Sequence, residues 1–437
     1  MMRRLYTALI YCAAPFALAA LLWRGLRDRD YWQSLGERLG WGRRVTGAPS
    51  IWLHAVSLGE MSAAAPLVRA LLLKYPGSPV VLTTATLTGS ARARALFGDA
   101  VDVRCLPYDM PGAVARFLDR IRPRLAVIME TELWPNLFAE CERRRVPLVL
   151  ASARLSEKSV ARYRRLGSLF QNIFSASSLV AAQTAEDAER FLAIGAQSAR
   201  TRVVGNIKFD LDLGAAVIEE GRSLRLSFGG ERPTWIAGST HAGEDEQVLA
   251  AHQELRSARP DALLLLVPRH PERFEAVAEL LRRRDLGFTR RSSGTVPDAA
   301  TSVVLVDTVG ELAVLYASAD AAFVGGSLVP VGGHNLLEPA ALGLPVLTGP
   351  YYSNGRDVAR LMLELGAALQ VADARELAAA LVRWLADPDE RRRIGAIGRH
   401  IVESNRGSVA RLLELIEPLL GPASPVPPAA AHPSAGC

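Results

Sequence analysis

The stretch IWLHAVSLGEMSAAAPLVRAL, residues 51–71, joins an apolar run to a helical pattern through the turn SLGE. The run that ends at Val56 is typical of a buried strand, and the spacing from Met61 predicts a helix. Ser57 and Glu60 fit the S-x-x-E capping box, in which the glutamate side chain returns to a backbone amide. Because a helix N-terminus favours a charged carboxylate, this interpretation predicts that Glu60 is ionised at neutral pH and has a lowered pKa. The stretch leaves two roles open for Glu60, a helix cap and a group that exchanges protons with a substrate.

The same strand–turn–helix pattern recurs along the chain and predicts two doubly wound α/β domains in tandem. Runs of Val, Ile and Leu separated by helical stretches indicate parallel sheets covered on both faces. The predicted strands of the first half are 51–56, 80–84, 125–129, 148–151 and 179–182. Those of the second half are 234–237, 262–268, 302–306, 321–325 and 345–347. Ligands of such domains bind beyond the carboxyl ends of the strands, which predicts a site in the cleft between the domains.

Charge is distributed unevenly between the two halves of the chain. Residues 1–215 contain 29 Lys and Arg against 18 Asp and Glu, whereas residues 216–437 contain 22 against 27. The basic half indicates an anionic partner such as a membrane surface, a phosphorylated lipid or nucleic acid, and scattered solvated charges are the alternative. The 4 cysteines form no C-x-x-C pair, which fits a reducing compartment and argues against a zinc site or a disulfide framework.

The N-terminal segment has the composition of a membrane anchor. Leu5–Trp23 is 19 residues long and carries no charge, and basic residues flank it on both sides. At about 1.5 Å per residue this run almost crosses a hydrocarbon core of roughly 30 Å, although Pro15 should kink it. The segment lacks a convincing signal-peptidase cleavage site before the following charges, so we predict an uncleaved anchor.

Four loops that follow predicted strands of the second half are rich in glycine or hydroxyl groups. The densest lies in AAFVGGSLVPVGGHNLLEPAALGLPVLTGP, residues 321–350, where a helix is predicted to open near Asn335. Asn335 suits a phosphate or a base edge, and the Glu338 carboxylate suits ribose hydroxyls. Arg269 in LLLLVPRHPERF suits a phosphate or a carboxylate. The alternative is that these residues are turns, helix caps and a carboxylate that complements a helix dipole.

The first half offers carboxylates instead. In LAVIMETELWPNLF, Glu130 and Glu132 end a predicted strand, and strand alternation places them on one face with Thr131 opposite. Two acids at the end of a buried strand are costly unless they are solvated or paired. Lys208 in VVGNIKFD lies near the domain junction, where it is either a partner for the site or a solvated charge.

The order of these motifs resembles one family. HAVSLGE, ETELWPN, ARLSEKS, GNIKFD, GSTHAGE, PRHPERF, DTVGEL and GGHNLLEPAALGLPVLTGP follow one another here as they do in the 3-deoxy-D-manno-octulosonic acid (Kdo) transferases. The resemblance extends from about Tyr31 to about Leu415. It departs from the family pattern at Ser152, where asparagine is usual, and at Gly355, where an aromatic residue is usual.

The resemblance implies a GT-B fold and an inverting transfer of Kdo from CMP-Kdo to a lipid A precursor, with no metal or cofactor. It implies that Glu60 is the general base and that Glu130 and Lys208 stabilise the transition state. The residues implied for CMP binding are Pro268, Arg269, Val309, Gly310, Glu311, Asn335, Leu336, Leu337 and Glu338. Predicted neighbours of the donor are Ser239, Thr240, His241, His270, Gly332 and Gly333.

The resemblance also implies a domain order and a location. We predict an anchor in 1–30, an acceptor domain in 31–212, a CMP-sugar domain in 213–420 whose last helix packs back on the acceptor domain, and a disordered tail in 421–437. The predicted partners are CMP-Kdo, the phosphorylated lipid acceptor and membrane phospholipids, with no nucleic acid. The catalytic domains are expected on the cytoplasmic side of a Gram-negative inner membrane. The alternatives are a GT-B transferase or epimerase that uses a UDP-sugar, and a non-catalytic membrane adaptor of the same fold.

Overall fold

The structure, a computed structural model, describes residues 2–26, 32, 34–166, 168–171, 173–174, 178–211 and 213–420. The chain forms two compact units: unit 1 is Met1–Asp210 together with Gly407–Cys437, and unit 2 is Leu211–Arg406. The predicted disordered tail, 421–437, lies outside the described residues.

Unit 1 contains a parallel sheet of 7 strands in the order β3-β2-β1-β4-β5-β6-β7. The strands are β1 (Ser50–His54), β2 (Val80–Thr84), β3 (Asp102–Cys105), β4 (Pro123–Met129), β5 (Leu148–Ala153), β6 (Ser178–Ala182) and β7 (Thr201–Val203). The strand order reverses between β1 and β4, which pair in parallel. Loops that leave the carboxyl ends of two such strands border a crevice, where ligands of doubly wound sheets bind.

The helices of unit 1 cover both faces of this sheet. Before the domain junction they are α1 (Met2–Gly25), α2 (Leu35–Arg38), α3 (Leu58–Lys74), α4 (Leu87–Phe97), α5 (Pro111–Ile121), α6 (Pro135–Arg143), α7 (Glu157–Arg165), α8 (Ser168–Gln171) and α9 (Ala185–Leu192). Successive residues of β1 enter different cores: Trp52 packs with α5 and α6, and Leu53 packs with α3. Burial of both faces explains why the interior strands are continuous apolar runs.

Unit 2 repeats this architecture with 7 parallel strands in the order β10-β11-β9-β8-β12-β13-β14. The strands are β8 (Thr234–Thr240), β9 (Leu263–Pro268), β10 (Phe288–Arg290), β11 (Val303–Leu305), β12 (Ala321–Val324), β13 (Val346–Thr348) and β14 (Ala368–Gln370). Its helices are α10 (Gly214–Ser227), α11 (Asp245–Ala258), α12 (Phe274–Arg283), α13 (Leu312–Ala317), α14 (Leu337–Ala341), α15 (Arg356–Glu364), α16 (Ala374–Ala386) and α17 (Pro388–Ser404). Here β8 and β12 are the neighbours at which the order reverses.

The last helix, α18 (Ser408–Leu420), returns to unit 1, where Leu412 and Ile416 are buried in the core that also contains α3. Asp210 holds the start of this return, because its Oδ1 accepts a hydrogen bond from the Gly407 amide at 2.6 Å. Two parallel, doubly wound sheets confirm the predicted fold class.

Ten predicted strands are present, with bounds shifted by a few residues, and four strands were not predicted. The four are β3, β7, β10 and β14, which form the two edges of each sheet. The predicted helix opening near Asn335 is also displaced, because α14 begins at Leu337.

Candidate active site

Glu60 lies in the first turn of α3, directly after β1, and its capping contacts are formed. Ser57 Oγ accepts a hydrogen bond from the Glu60 amide at 3.3 Å. The Glu60 side chain turns back and its Oε2 accepts from the Val56 amide at 2.8 Å, one residue before the Ser57 cap. The motif therefore acts as a cap, and it also fixes the carboxylate at the carboxyl end of β1.

The pKa of Glu60 contradicts the sequence-based expectation. Burial raises the pKa of this carboxyl from 4.5 to about 7, and the negative charges of Glu130 and Glu132 add to the increase. The Val56 amide and Lys208 lower the pKa but do not compensate for burial. The prediction of a lowered pKa is wrong, because desolvation outweighs the helix N-terminus at this position.

Glu130 follows β4, the neighbour of β1, and it is held between two cations. Its Oε1 lies 3.0 Å from Lys208 Nζ, and its Oε2 lies 3.0 Å from Arg154 Nε. The Glu130 side chain is 14% exposed, so both ion pairs are partly shielded from solvent. Its backbone has φ 53, a left-handed conformation that is unfavourable for a residue with a side chain and is typical of functional turns.

Glu130 and Glu132 do not share a strand face. Strand β4 ends at Met129, and the left-handed backbone of Glu130 interrupts the two-residue alternation on which that prediction rested. Thr131 Oγ1 instead donates a hydrogen bond to the Arg154 carbonyl. Burial raises the pKa of Glu132, and the charge of Glu130 raises it further.

Ser152, the first departure from the family pattern, braces the turn that carries Lys208. It has φ 51 and lies where the register of β5 and β6 shifts. Ser152 Oγ accepts hydrogen bonds from Gln183 Nε2 at 3.2 Å and from the Ile207 amide at 3.4 Å. The hydroxyl thus supports the residue that precedes Lys208. Gly355, the second departure, precedes α15, and a Cβ there would have no atom within 4 Å.

In unit 2, a buried carboxylate organises the loop that follows β12. Glu244 accepts four backbone hydrogen bonds, from the amides of His241 at 3.0 Å, Gly326 at 2.6 Å, Ser327 at 2.8 Å and Leu328 at 2.8 Å. It thereby ties the loop after β8 to the loop after β12, the two strands where the sheet order reverses. Sequence reasoning missed Glu244, although it closes the GSTHAGE motif.

Three histidines meet beside this clamp. His241 Nε2 and His334 Nε2 are 2.8 Å apart, and the planes of the two stacked rings differ by 10°. At this distance a neutral pair shares one proton between the two nitrogens, so one ring donates and the other accepts. Burial, followed by the charge of His241, lowers the pKa of His334 to about 4. His270 packs edge-on against His241 with ring centroids 5.3 Å apart. The predicted donor neighbours His241 and His270 are therefore brought together, and His334 joins them.

Pro268 is the last residue of β9, and Arg269 begins the loop that follows. The Arg269 amide donates to the Thr240 carbonyl at 3.0 Å. The Arg269 side chain is exposed. Thr240 is buried, and its hydroxyl donates to Asp245 Oδ1 at 2.6 Å. Ser239 has φ 60. Thr240 therefore has a structural role, while Arg269 is available to an anionic ligand.

Val309, Gly310 and Glu311 precede α13 in an open loop. Val309 is 79% exposed, and Gly310 has φ 98. The Glu311 side chain accepts from Arg291 Nη2 at 2.8 Å. A ligand at this loop would meet backbone groups and the Val309 side chain, because the Glu311 carboxylate is already paired.

The polar side chains at the start of α14 bond to each other. Asn335 Oδ1 accepts from the Leu337 amide at 3.1 Å, and Asn335 Nδ2 donates to Glu338 Oε1 at 3.1 Å. The side chains of Leu336 and Leu337 are buried, so these residues can offer only backbone groups to a ligand.

Gly332 and Gly333 are required by the loop itself. Their φ values are 108 and 73, and their amides both donate to the Gly326 carbonyl, at 3.1 and 2.7 Å. These conformations favour glycine irrespective of any ligand.

Two arginines were missed in addition to Glu244. Arg154 lies in ARLSEKS directly after β5, and Arg273 lies in PRHPERF, where its Nη1 donates to the Thr240 carbonyl at 2.8 Å. Both belong to motifs at the carboxyl edge of a sheet, which was the available signal. Across the described ranges, no group of three or more His, Cys, Asp or Glu side chains has a metal-binding arrangement.

Comparison with known proteins identifies the family. A family model described as "3-Deoxy-D-manno-octulosonic-acid transferase (kdotransferase)" matches residues 33–211. A 3-deoxy-D-manno-octulosonic acid transferase of Haemophilus influenzae is 42% identical over 96% of this chain and 99% of its own length. The transferase of Bordetella pertussis is 39% identical over 94% of this chain and 99% of its own length.

A solved structure supports the fold class alone. The UDP-GlcNAc 2-epimerase from Neisseria meningitidis, bound to UDP-GlcNAc, is 12% identical with a TM-score of 0.54, and the match covers 84% of this chain and 99% of the epimerase. This likeness confirms the predicted GT-B class and carries no information on the donor. The sequence matches over nearly the full chain show that the protein belongs to the 3-deoxy-D-manno-octulosonic acid transferase family of glycosyltransferases.

Proposed function

We propose that the protein transfers Kdo from CMP-Kdo to a hydroxyl group of a lipid A precursor, with inversion at the anomeric carbon and without a metal. The observation that carries the proposal is the environment of Glu60, a partly buried carboxyl beside the Glu130–Lys208 pair in a chain of this family. A UDP-sugar as donor is the alternative that the assay below tests directly.

Glu60 is proposed as the general base. A base that works at neutral pH needs a pKa near the working pH, because a lower value weakens its affinity for the proton. The pKa of about 7 meets this requirement. The ionised carboxylate takes the proton of the acceptor hydroxyl as its oxygen attacks the anomeric carbon of Kdo. The bond to the CMP phosphate breaks, and CMP leaves with the electron pair.

Glu130 and Lys208 are proposed to organise the charge around this step. Lys208 lowers the pKa of Glu60 and so keeps part of the base ionised. Glu130, fixed by Lys208 and Arg154, holds both cations at the edge of the sheet. Preorganised charges of this kind stabilise a transition state without reorganisation at the moment of reaction.

CMP is proposed to bind on unit 2. The exposed Arg269 guanidinium is suited to the phosphate. Backbone groups of Pro268, of Val309–Glu311 and of Asn335–Glu338 provide the remaining contacts. His241, His270 and His334 line the same loops, and Ser239, Gly332 and Gly333 shape them. The partial positive charge of helix N-termini eases departure of CMP.

The acceptor and the membrane are proposed to meet unit 1. Helix α1 contains a segment, Met2–Trp23, that is long and apolar enough to cross a membrane by length and composition. A basic unit beside it attracts the phosphates of the acceptor and of phospholipids. We assign the catalytic units to the cytoplasmic side of a Gram-negative inner membrane. The proposed reaction requires no nucleic acid as a partner.

The test is transfer by the purified full-length protein with a defined donor and acceptor, followed by mass spectrometry of the lipid. Addition of one or more Kdo masses from CMP-Kdo is expected, and the mass also gives the number of units. Product formed from a UDP-sugar, and none from CMP-Kdo, would contradict the proposal.

A further inference from the structure

Helix α1 has contacts to unit 1 near both of its ends. Near the Met2 end, Tyr6 Oη donates to Asp109 Oδ2 at 2.9 Å and Thr7 Oγ1 donates to Asn136 Oδ1 at 3.0 Å. Near the other end, Leu21 is buried, and the Leu22 carbonyl accepts from Trp32 Nε1 at 3.1 Å. The helix therefore lies along the unit and packs against α6 and α8.

The contact with Tyr6 is part of a buried network. Asp109 is 4% exposed, and its carboxylate also accepts from the amides of Asn136 at 3.0 Å and Leu137 at 2.8 Å, at the start of α6. Removing the helix would leave this carboxylate without its hydroxyl partner, which is costly for a buried group. The docked position of the Met2 end is thus supported by polar contacts as well as by apolar packing.

The two faces of α1 have different surroundings. Tyr6, Ile10 and Leu21 lie on the face toward unit 1 and are wholly or partly buried. Leu9 is 61% exposed and Phe16 is 79% exposed, on the side of the helix that unit 1 does not contact. Leu5 and Trp23 extend this outer face, which carries no charge between them. A helix facing water would have polar residues there.

A spanning arrangement conflicts with these contacts. A helix of 24 residues is about 36 Å long, so the Met2 end of a spanning α1 would lie about 30 Å from the headgroups beside unit 1. Tyr6 could not then reach Asp109, and Thr7 could not reach Asn136. The sequence of α1 is apolar on both faces, as in a spanning helix, but one of them contacts unit 1, where Tyr6 and Ile10 are partly buried and Leu21 is buried.

We infer that α1 is an in-plane anchor whose outer face enters one leaflet of an anionic phospholipid bilayer, while its Met2 end stays on the same side of the membrane as unit 1. Helices in this position lie at the boundary between headgroups and acyl chains. The inference rests on the proposed membrane association and specifies its geometry.

Charge near the Met2 end selects an anionic leaflet. Arg3 and Arg4 are exposed and line a groove of about 730 Å³ between α1 and α6, together with Arg143. Glu140 and Glu142 line the same groove, and Glu140 accepts from Arg143 Nη2 at 2.6 Å. Because Arg143 is paired with Glu140, we assign Arg3 and Arg4, rather than Arg143, to the phospholipid phosphates.

Sidedness tests the inference. An epitope tag is placed before Met1 or after Cys437, and protease is added to intact spheroplasts and to inside-out vesicles. We expect both tags to be cleaved only in inside-out vesicles. Cleavage of the Met1 tag in spheroplasts, with the Cys437 tag protected, would overturn the inference, and so would recovery of the protein outside the membrane fraction. Absence of Kdo transfer in vesicles with the expected sidedness would contradict only the proposed function.

Cross-linking tests the docked face in the same membranes. In a Cys12→Ser, Cys437→Ser background, the pair Thr7→Cys with Asn136→Cys should react with a short bismaleimide at least tenfold more than Leu9→Cys with Asn136→Cys. Equal reaction of the two pairs would refute docking through this face.

Vesicle binding tests the charge of the leaflet. Arg3→Ala with Arg4→Ala should weaken binding to vesicles that contain phosphatidylglycerol by about fivefold per arginine, and should leave binding to phosphatidylcholine unchanged. Equal binding of the unmodified protein to both vesicles would overturn the anionic assignment.

Discussion

Replacing Glu60 with glutamine should abolish transfer and at the same time stabilise the protein above neutral pH. The pKa of Glu60 in the folded protein is about 7, compared with 4.5 for an unperturbed carboxyl. The folded state therefore binds the proton more tightly than the unfolded state, and stability falls as pH rises from about 4.5 to about 7. Glutamine cannot ionise, so the variant escapes this loss.

The size of the effect follows from the two pKa values. A pKa of about 7 against 4.5 corresponds to at most about 3 kcal/mol above pH 7. Glu60 is only partly buried, so solvent screening reduces the expected gain to about 1–2 kcal/mol. In a unit of this size each kcal/mol raises Tm by about 2–4 °C. Glutamine Oε1 can still accept from the Val56 amide, so the cap should survive.

The assay is thermal unfolding of the two proteins at pH 4, 6 and 8, combined with turnover at pH 8. The variant and the original protein should unfold at similar temperatures at pH 4 and should differ most at pH 8. Glu376→Gln is the matched control. Glu376 makes the same contacts at the start of α16, where its Oε2 accepts from the Ala372 amide at 2.8 Å and its amide donates to Asp373 Oδ1 at 2.9 Å. The control should keep its activity and the pH dependence of its Tm.

Two outcomes would refute this reasoning. A Glu60→Gln protein that unfolds at the same temperature as the original at every pH would show that burial does not penalise the carboxylate. A correctly folded Glu60→Gln protein with near-original turnover would show that Glu60 is not the base.

Three further predictions concern the same reaction. Lys208→Met should reduce turnover by about a hundredfold and should move the acidic limb of the kcat/KM profile to higher pH, because Lys208 lowers the pKa of Glu60. Glu132→Gln should move the same limb to lower pH, because the charge of Glu132 raises that pKa. Unchanged acidic limbs in both profiles would contradict this coupling. Arg269→Ala should weaken CMP-Kdo binding by about tenfold to a hundredfold in a calorimetric titration, and unchanged affinity would remove Arg269 from the donor site. Activity should survive complete chelation by EDTA, and a loss that Mg²⁺ restores would overturn the metal-free mechanism.

The predicted and missed strands differ in where they lie in the sheet. Interior strands such as β1 and β9 are buried on both faces, so their sequences are continuous apolar runs that a pattern detects. The edge strands β7 and β14 are 3 residues long, and Ala368 is the one buried residue in the two strands together. Each edge strand forms by pairing with the adjacent strand of the sheet, and the local sequence pattern does not predict that pairing.

The positions of the site residues could be predicted, but their environments could not. Glu60, Glu130 and Arg269 each follow a strand, and the parallel arrangement brings such residues to one edge of each sheet. The sign of the Glu60 pKa shift depends on burial by residues distant in sequence. The left-handed turn at Glu130 likewise invalidated a face assignment based on regular alternation.

The contacts of three carboxylates explain why Glu60 is the one that we propose as the base. Within the described residues, Glu244 accepts four backbone amides and Glu130 faces two cations, so each carboxylate has partners that compensate for lost water. Glu60 accepts only the Val56 amide there and lies near two other acids. A buried carboxylate with few donors gains affinity for a proton, which is the property that a general base uses. All three carboxylates follow strands, and Glu60 and Glu244 both belong to motifs that end in Gly-Glu. The number of hydrogen-bond and ion-pair partners, rather than the motif, therefore separates the proposed base from the two carboxylates that have a structural role.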